Sequence, residues 1–294
     1  MEITDVCKKQ IVPPKTDLKK LSIVTDFGKS LYKYPQPRPH QNFEVFYGNN
    51  NKNMIKEIGR GGNGIIYMVS WNKDKIILKY PISEPDYEPD RVVDVLKGYH
   101  HHIIPYKLIH DQYGNPFMVM QQANGDVFDL LRYDLASDFR NKMVSYYARA
   151  IRQLWRKRIV FTDMKPENLL YQCDIHPENG GLTLYFGDIG AFSNEGEKEY
   201  DYEVEPPESK GVIDKNFCLF TLGLMVIGIY SFRYERVKPG DSKNFVTKFY
   251  NPLKEQILSK IKNKDIQKIT LRLLSPYRED RDNLSVNEAV SYLE

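Results

Sequence analysis

Positions 161–170 of this 294-residue chain read FTDMKPENLL, and this stretch decides which fold the rest of the sequence has to fit. Asp163 stands two residues before Lys165 and five before Asn168. Twenty residues beyond Asn168, after an apolar strand-like run, comes Asp188-Ile189-Gly190. The set offers a proton acceptor, a cation and oxygen ligands suited to a hard metal ion. A solvated loop could explain each piece alone, but hardly all of them in this order.

Upstream, a glycine cluster reads GRGGNG and contributes Gly59, Gly61 and Gly64 between two strand-like runs. Glycine lets backbone N–H groups approach phosphates without obstruction, although a flexible hairpin turn has the same composition. Lys79 lies fifteen residues after Gly64, at the end of the run Ile76-Ile77-Leu78. It could project a cation toward phosphates, or it could be an ordinary exposed lysine at a strand end.

The pattern of apolar residues changes along the chain. From about Met54 to Val119 the runs MIKEIGR, IIYMVSW, KIILKY and PFMVM predict strands, with RVVDVLKGY as one short helix between them. After Asn124 the pattern is helical and includes a buried helix over Phe217–Tyr230. A small β-rich lobe followed by a larger α-rich lobe is an α+β architecture.

Together these segments resemble the eukaryotic-type protein kinase superfamily, with divergent motifs similar to those of serine/threonine kinases. FTDMKPENLL is similar to the catalytic loop H-R-D-x-K-P-x-N, and Asp188-Ile189-Gly190 looks like D-F-G. The resemblance implies a bilobal kinase domain over residues 46–294, with an N-lobe at 46–120, a hinge at 121–124 and a C-lobe at 125–294. Residues 1–45 are interpreted as an extension that packs loosely or docks elsewhere.

The resemblance also implies roles in transferring phosphate from ATP to serine or threonine hydroxyls. Asp163 would accept the substrate proton, while Lys165 and Lys79 would neutralise phosphate charge. Asn168 and Asp188 would bind Mg²⁺. The remaining nucleotide-binding residues are Gly59, Gly61, Gly64, Ile66, Met120, Gln122, Asp126 and Leu170.

Two structural pairs follow from the same resemblance. Lys79 would pair with Glu88 or Asp90, between which the sequence does not choose. Glu208, in a Pro-Pro-Glu sequence similar to A-P-E, would pair with Arg281.

Four positions depart from the family pattern. Phe161 and Thr162 replace the motif histidine and arginine, and because that arginine meets a phosphorylated activation loop, we expect no dependence on that switch. Ile189 replaces the D-F-G phenylalanine and could compensate in volume for Phe161. Ile77 replaces a small residue above the adenine and argues for weakened ATP binding.

These departures keep a pseudokinase open as the alternative: the same fold acting as a nucleotide-binding or scaffold module. A small-molecule kinase of the aminoglycoside phosphotransferase type is a more distant alternative, because kinases of that type lack the K-P-E-N run that this chain has. The four polar residues Lys79, Asp163, Asn168 and Asp188 favour an active enzyme.

Bulk composition narrows the partners and the compartment. The net charge of +3, from 42 basic and 39 acidic residues, predicts neither nucleic-acid nor membrane binding. Protein substrates, including basic ones, are expected instead because glutamates and aspartates follow Asp188. Cys7, Cys173 and Cys218 are far apart in sequence, which argues against a disulfide framework. With no signal-like N-terminus, a cytoplasmic or nucleo-cytoplasmic protein that is not secreted is expected.

Overall fold

The computed structural model describes residues 18–25, 43–47, 54–61, 64–71, 74–81, 95–96, 101–110, 116–173, 182–197, 212–235, 237 and 241–294. The chain divides between Asn124 and Gly125 into two compact units, each of which is described by itself. An antiparallel sheet dominates the smaller unit, and most of the helices lie in the larger one. The α+β class is therefore confirmed, and the bilobal arrangement stays a prediction.

The strands of the smaller unit account for most of its described residues. They are β1 (Leu21–Thr25), β2 (Phe43–Tyr47), β3 (Met54–Gly61), β4 (Gly64–Trp71), β5 (Asp74–Pro81), β6 (Tyr106–His110) and β7 (Pro116–Gln121). Strands β3 to β7 form one antiparallel sheet in the order β3-β4-β5-β7-β6. The strands predicted from MIKEIGR, IIYMVSW, KIILKY and PFMVM are confirmed as β3, β4, β5 and β7. The helix predicted over 91–99 lies outside the described residues except for 95–96.

Two faces of this sheet differ in character, because successive side chains of a strand point to opposite sides. One face is a fully buried core formed by Ile65, Tyr67, Val69, Ile76 and Leu78, among others. The opposite face of β5 carries Ile77 and Lys79, which are half-buried.

The N-terminal segment takes part in this core. Strand β1 pairs antiparallel with β2, and a 3₁₀ turn at Leu18–Lys20 precedes β1. Leu21, Ile23 and Val45 are buried in the same hydrophobic cluster as the core face of the sheet. Removing these apolar side chains from water stabilises the folded state of this unit. Leu21 and Ile23 are therefore part of the core of this unit, and the interpretation of residues 1–45 as an extension that packs loosely or docks elsewhere stays a prediction.

The helices of the larger unit surround one that is buried along its length. They are α1 (Val127–Leu130), α2 (Ser137–Arg156), α3 (Lys215–Ile229), α4 (Ser242–Asn244), α5 (Asn251–Lys260), α6 (Lys264–Leu273), α7 (Glu279–Asp282) and α8 (Val286–Leu293), with a π-helical turn at Phe245–Tyr250. Helix α3 is apolar and buried on all sides, so the predicted buried helix is confirmed. None of the described helices has both the length and the apolar character needed to cross a membrane.

Short strands of the larger unit hold its loops in register. They are β8 (Gly125–Asp126), β9 (Ile159–Phe161), β10 (Leu169–Cys173), β11 (Leu182–Phe186) and β12 (Phe192–Asn194). Strand β10 pairs antiparallel with both β8 and β11, and β9 pairs antiparallel with β12. The stretch 161–170 therefore leaves one of these ladders and enters the other.

The cysteines differ from the sequence expectation. Cys173, at the end of β10, is disulfide-bonded, whereas the wide spacing of the cysteines argued against a disulfide framework. Cys218 is a buried free thiol on α3, and burial raises its pKa.

Candidate functional site

The loop between β9 and β10 brings two of the predicted catalytic residues, Asp163 and Lys165, together with the predicted metal ligand Asn168. Lys165 Nζ lies 2.7 Å from Asp163 Oδ2, an ion pair whose side chains are about one third and one quarter exposed. Asn168 Nδ2 donates to the same Oδ2 at 2.8 Å and to the Asp163 carbonyl at 2.9 Å. The Asp163 carboxylate is therefore held in one orientation by a cation and an amide together.

Pro166 fixes the position of this loop. It begins a 3₁₀ turn, Pro166–Asn168, where its missing N–H costs nothing and its restricted φ suits the turn. Helix α3 approaches closely on the other side, since a Cβ added at Gly228 would lie 3.3 Å from Pro166 Cγ. The buried helix therefore supports the loop directly.

Asp188 follows β11 and begins a second 3₁₀ turn, Ile189–Ala191. Its Oδ1 accepts a hydrogen bond from Gly190 N at 3.1 Å. The preceding residue, Gly187, donates its N–H to the Asn168 carbonyl at 2.8 Å. The two residues predicted to bind metal therefore belong to backbone segments that are hydrogen-bonded to each other.

The donor set at this place fits Mg²⁺. The two hydrogen bonds from Asn168 Nδ2 leave the amide oxygen as the metal-ligand atom of that side chain. Mg²⁺ prefers oxygen ligands and is usually bound by one or two carboxylates plus substrate phosphates, not by a complete protein cage. The described part of the chain contains no cluster of three or more His, Cys, Asp or Glu side chains that could hold a metal.

Strand pairing places Asp126 directly opposite Leu170 on β8 and β10. Asp126 also caps α1, because its Oδ1 accepts from Asp129 N at 2.8 Å. Burial raises the pKa of the Asp126 carboxyl, and the nearby carboxylates of Asp129 and Glu167 add to the rise, against the lowering effect of the backbone hydrogen bond. Two residues predicted to contact the nucleoside are thus neighbours.

The smaller unit arranges its predicted nucleotide residues on the face of the sheet away from the core. Lys79 stands opposite Ile66 on β4, and Ile77 stands opposite Met120 on β7. Directly opposite residues of an antiparallel pair share a face, so Ile66, Lys79, Ile77 and Met120 lie on one side. Gln122 follows β7 and is half-buried.

The glycine cluster forms the β3–β4 connection. Gly59 pairs with Ile66 just after a register shift, and Gly61 pairs with Gly64. Among the described residues, a Cβ added at Gly59 would meet Ile66, at the ordinary contact distance of 3.8 Å.

Of the residues predicted to form the two structural pairs, some lie outside the described part of the chain. Glu88, Asp90 and Glu208 all lie outside them. Arg281 is fully buried on α7, where its Nη1 donates to the carbonyls of Leu273 and Ser275 and its guanidinium lies 5.8 Å from the centre of the Phe220 ring. The pairs Glu208–Arg281 and Lys79 with Glu88 or Asp90 stay predictions.

Phe161 and Thr162, which replace the motif histidine and arginine before Asp163, are both buried. Phe161 is buried and packs its ring against those of Phe186 and Phe192, with centroid distances of 4.7 and 4.9 Å. Thr162 is buried too, and both its N–H, at 2.8 Å, and its Oγ1, at 3.0 Å, donate to the Ala191 carbonyl. The compensation proposed between Phe161 and Ile189 stays a prediction.

Sequence reasoning missed Tyr147 on α2. Its buried hydroxyl donates to the Leu170 carbonyl at 3.1 Å and the Tyr185 carbonyl at 3.4 Å, and so connects α2 to both β10 and β11. The only signal was a tyrosine at a position where the helical period predicts an apolar side chain.

Comparison with known proteins agrees with this geometry. A protein of Drosophila yakuba named serine/threonine-protein kinase GE16371 is 31% identical over 145 residues, covering 46% of this chain and 19% of that protein. Serine/threonine-protein kinase CG17528 of Drosophila melanogaster is 30% identical over 151 residues, covering 48% of this chain and 20% of that protein. The chain is similar to serine/threonine kinases.

The similarity is distant and partial. The match spans about a fifth of the length of these relatives, and a third, GG21441 of Drosophila erecta, gives the same coverage of 19% at 31% identity. No protein-family model matches the chain. A kinase-like relationship is what these comparisons support.

Proposed function

We propose that this chain is a protein kinase that transfers the γ-phosphate of ATP to serine or threonine hydroxyls of protein substrates. The observation that carries the proposal is the group of Asp163, Lys165 and Asn168, hydrogen-bonded through the Asn168 carbonyl to the segment that ends in Asp188. Phosphoryl transfer requires positioning and charge neutralisation more than covalent chemistry, and this group supplies both.

Each residue has a defined part in the proposed reaction. The Asp163 carboxylate takes the proton of the substrate hydroxyl, whose oxygen bonds to the γ-phosphorus as the bond to the β-phosphate oxygen breaks and ADP leaves. Lys165, already 2.7 Å from Asp163, neutralises charge developing on the transferred group. Mg²⁺, held by Asn168 and Asp188, would neutralise phosphate charge when bound.

Nucleotide binding is proposed for two sets of residues. Asp126, Leu170, Ile66, Met120 and Gln122 would contact ribose and adenine. Lys79 and the glycines Gly59, Gly61 and Gly64 would bind the phosphates. The substrates are proposed to include basic proteins, and activity is proposed not to require phosphorylation of the segment after Asp188.

The test compares the full chain with its Asp163→Asn variant, using Mg²⁺ and labelled ATP with and without a basic acceptor protein. Removing a general base of this kind lowers kcat by about 10²- to 10⁴-fold. The exposed Asp265→Asn variant is the matched carboxylate-to-amide control and should keep full activity. Equal melting temperatures of all three proteins would show that each is folded.

Other results would contradict the proposal. Transfer by Asp163→Asn at the rate of the wild type would remove Asp163 as the base. No transfer by any of the three proteins would favour the pseudokinase, and nucleotide binding would then be measured directly. Transfer to an aminoglycoside but not to protein would favour the small-molecule kinase. Loss of activity after phosphatase treatment would contradict independence from phosphorylation.

A further inference from the structure

Thr162 is a buried residue that connects the loop of Asp163 to the turn that begins at Asp188. It immediately precedes Asp163, and only 3% of its surface is exposed. Its N–H and its hydroxyl both donate to one carbonyl, that of Ala191, at 2.8 and 3.0 Å. The threonine that replaces the motif arginine is therefore engaged with the segment after Asp188 and does not point to solvent.

The Ala191 carbonyl belongs to the turn that begins at Asp188. Within that turn, Ala191 N donates back to the Asp188 carbonyl at 3.1 Å, so the two residues are joined by the backbone of the turn. The other end of the turn is held by the hydrogen bond from Gly187 N to the Asn168 carbonyl at 2.8 Å. The turn is thus attached to the loop of Asp163 at both ends, once through Asn168 and once through Thr162.

Beyond the turn, the pairing of strands β9 and β12 also joins these two segments. Strands β9 and β12 pair with Phe161 opposite Phe192, and Glu195 N donates to the Arg158 carbonyl at 2.8 Å. Arg158 also forms a 3.1 Å ion pair with Glu195, although both side chains are substantially exposed and the pair contributes little. Further along the chain, Gly196 N donates to the Ile213 carbonyl and Ile213 N donates to the Glu197 carbonyl. These two bonds join residues 196–197 to Ile213.

From these contacts we infer that Thr162 is a positioning residue: its hydroxyl fixes the Asp188 turn relative to Asp163, and so fixes the metal ligand relative to the base. The inference rests on the proposed function for its effect on catalysis. A hydrogen bond made by the protein itself needs no modification to form, so the turn is held without a phosphate on the segment. Distances between catalytic groups matter because small displacements cost large factors in rate.

The test uses Thr162→Val, which keeps the shape of the side chain but removes its hydroxyl. The backbone N–H still donates to Ala191, so the fold should survive. Thr162→Ser restores the hydroxyl. Thr221→Val is the matched control, because Thr221 is equally buried on α3 and its Oγ1 donates to the Cys218 carbonyl at 2.8 Å, within the helix itself.

Two measurements on the full chain separate positioning from stability. Amide hydrogen exchange should become about two- to tenfold faster in peptides covering residues 187–194 of Thr162→Val, and should not change there in Thr162→Ser or Thr221→Val. In the phosphate-transfer assay, the Mg²⁺ concentration for half-maximal rate should rise by a similar factor, about two- to tenfold, in Thr162→Val alone.

Each other outcome overturns one of the two proposals. Unchanged exchange at 187–194 in Thr162→Val overturns the positioning role, whether or not the protein is active. Faster exchange with an unchanged Mg²⁺ dependence in an active enzyme makes Thr162 merely structural and overturns it as well. No transfer by the wild type overturns the proposed function, while the exchange data still decide whether Thr162 holds the turn.

Discussion

At the scale of single residues, Gly187 is a position where an added Cβ would collide with a residue of the candidate site. A Cβ built there would lie 2.6 Å from Leu170 Cγ and 2.7 Å from its Cδ1, closer than real atoms approach. Leu170 is one of the residues proposed to contact adenine, and it lies opposite Asp126. The absence of a side chain at Gly187 therefore determines where Leu170 can be.

Gly187→Ala should displace the Leu170 side chain, because overpacking a filled site costs about 1–3 kcal/mol. We expect a lower melting temperature and, if the proposed function holds, a several-fold higher KM for ATP. Leu170→Ala in the same chain should relieve the clash, so the double variant should be less impaired than the two separate effects predict. Additive effects in this double-mutant cycle would contradict the steric explanation.

At the scale of elements, one tyrosine joins helix α2 to strand β10, which follows Asn168, and to strand β11, which precedes Asp188. Burial raises the pKa of the Tyr147 hydroxyl well above its ordinary value, so it stays a protonated donor. It donates to carbonyls of β10 and β11. Its ring also packs against Phe186, with centroids 5.4 Å apart.

Tyr147→Phe should keep the ring packing and lose the two hydrogen bonds. We expect the free energy of unfolding to fall by about 1–3 kcal/mol, because two partly buried carbonyls would lose a donor. Chemical denaturation measures this, with Tyr292→Phe as the control, since Tyr292 is exposed on α8 and should change stability by less than about 0.5 kcal/mol. Equal changes in the two variants would show that the Tyr147 hydroxyl contributes nothing.

At the scale of the whole molecule, the N-terminal strand completes the core of the smaller unit. Leu21, Ile23 and Val45 are 5%, 3% and 0% exposed, within the cluster that also contains the core face of the sheet. A sheet with one face buried needs a cover for that face. Strand β1 contributes to that cover.

Ile23→Ala should destabilise the protein by about 2–5 kcal/mol, the range for removing most of a buried aliphatic side chain. Ile58→Ala is the matched control, because Ile58 lies in the same unit but is 49% exposed on β3. Denaturation of both variants beside the wild type measures the difference. If Ile23→Ala were no more destabilising than Ile58→Ala, β1 would not be a structural part of the unit.

Local features were accessible from the sequence. The strands β3, β4, β5 and β7 and the buried helix α3 were predicted because alternation of apolar residues and a continuous apolar run are local signals. The spacing of Asp163, Lys165 and Asn168 was likewise enough to expect them together, because a loop of six residues keeps such side chains within reach.

Contacts between distant positions were decided by tertiary structure alone. The sequence treated Thr162 as the loss of an arginine, whereas the fold makes it a hydrogen-bond donor to Ala191, twenty-nine positions away. It set β1 apart from the sheet that β1 helps to bury, and it gave no role to Tyr147. The physical reason is that burial and hydrogen bonding of a side chain depend on which segments meet it, and a periodic pattern within one segment carries no information about its partner.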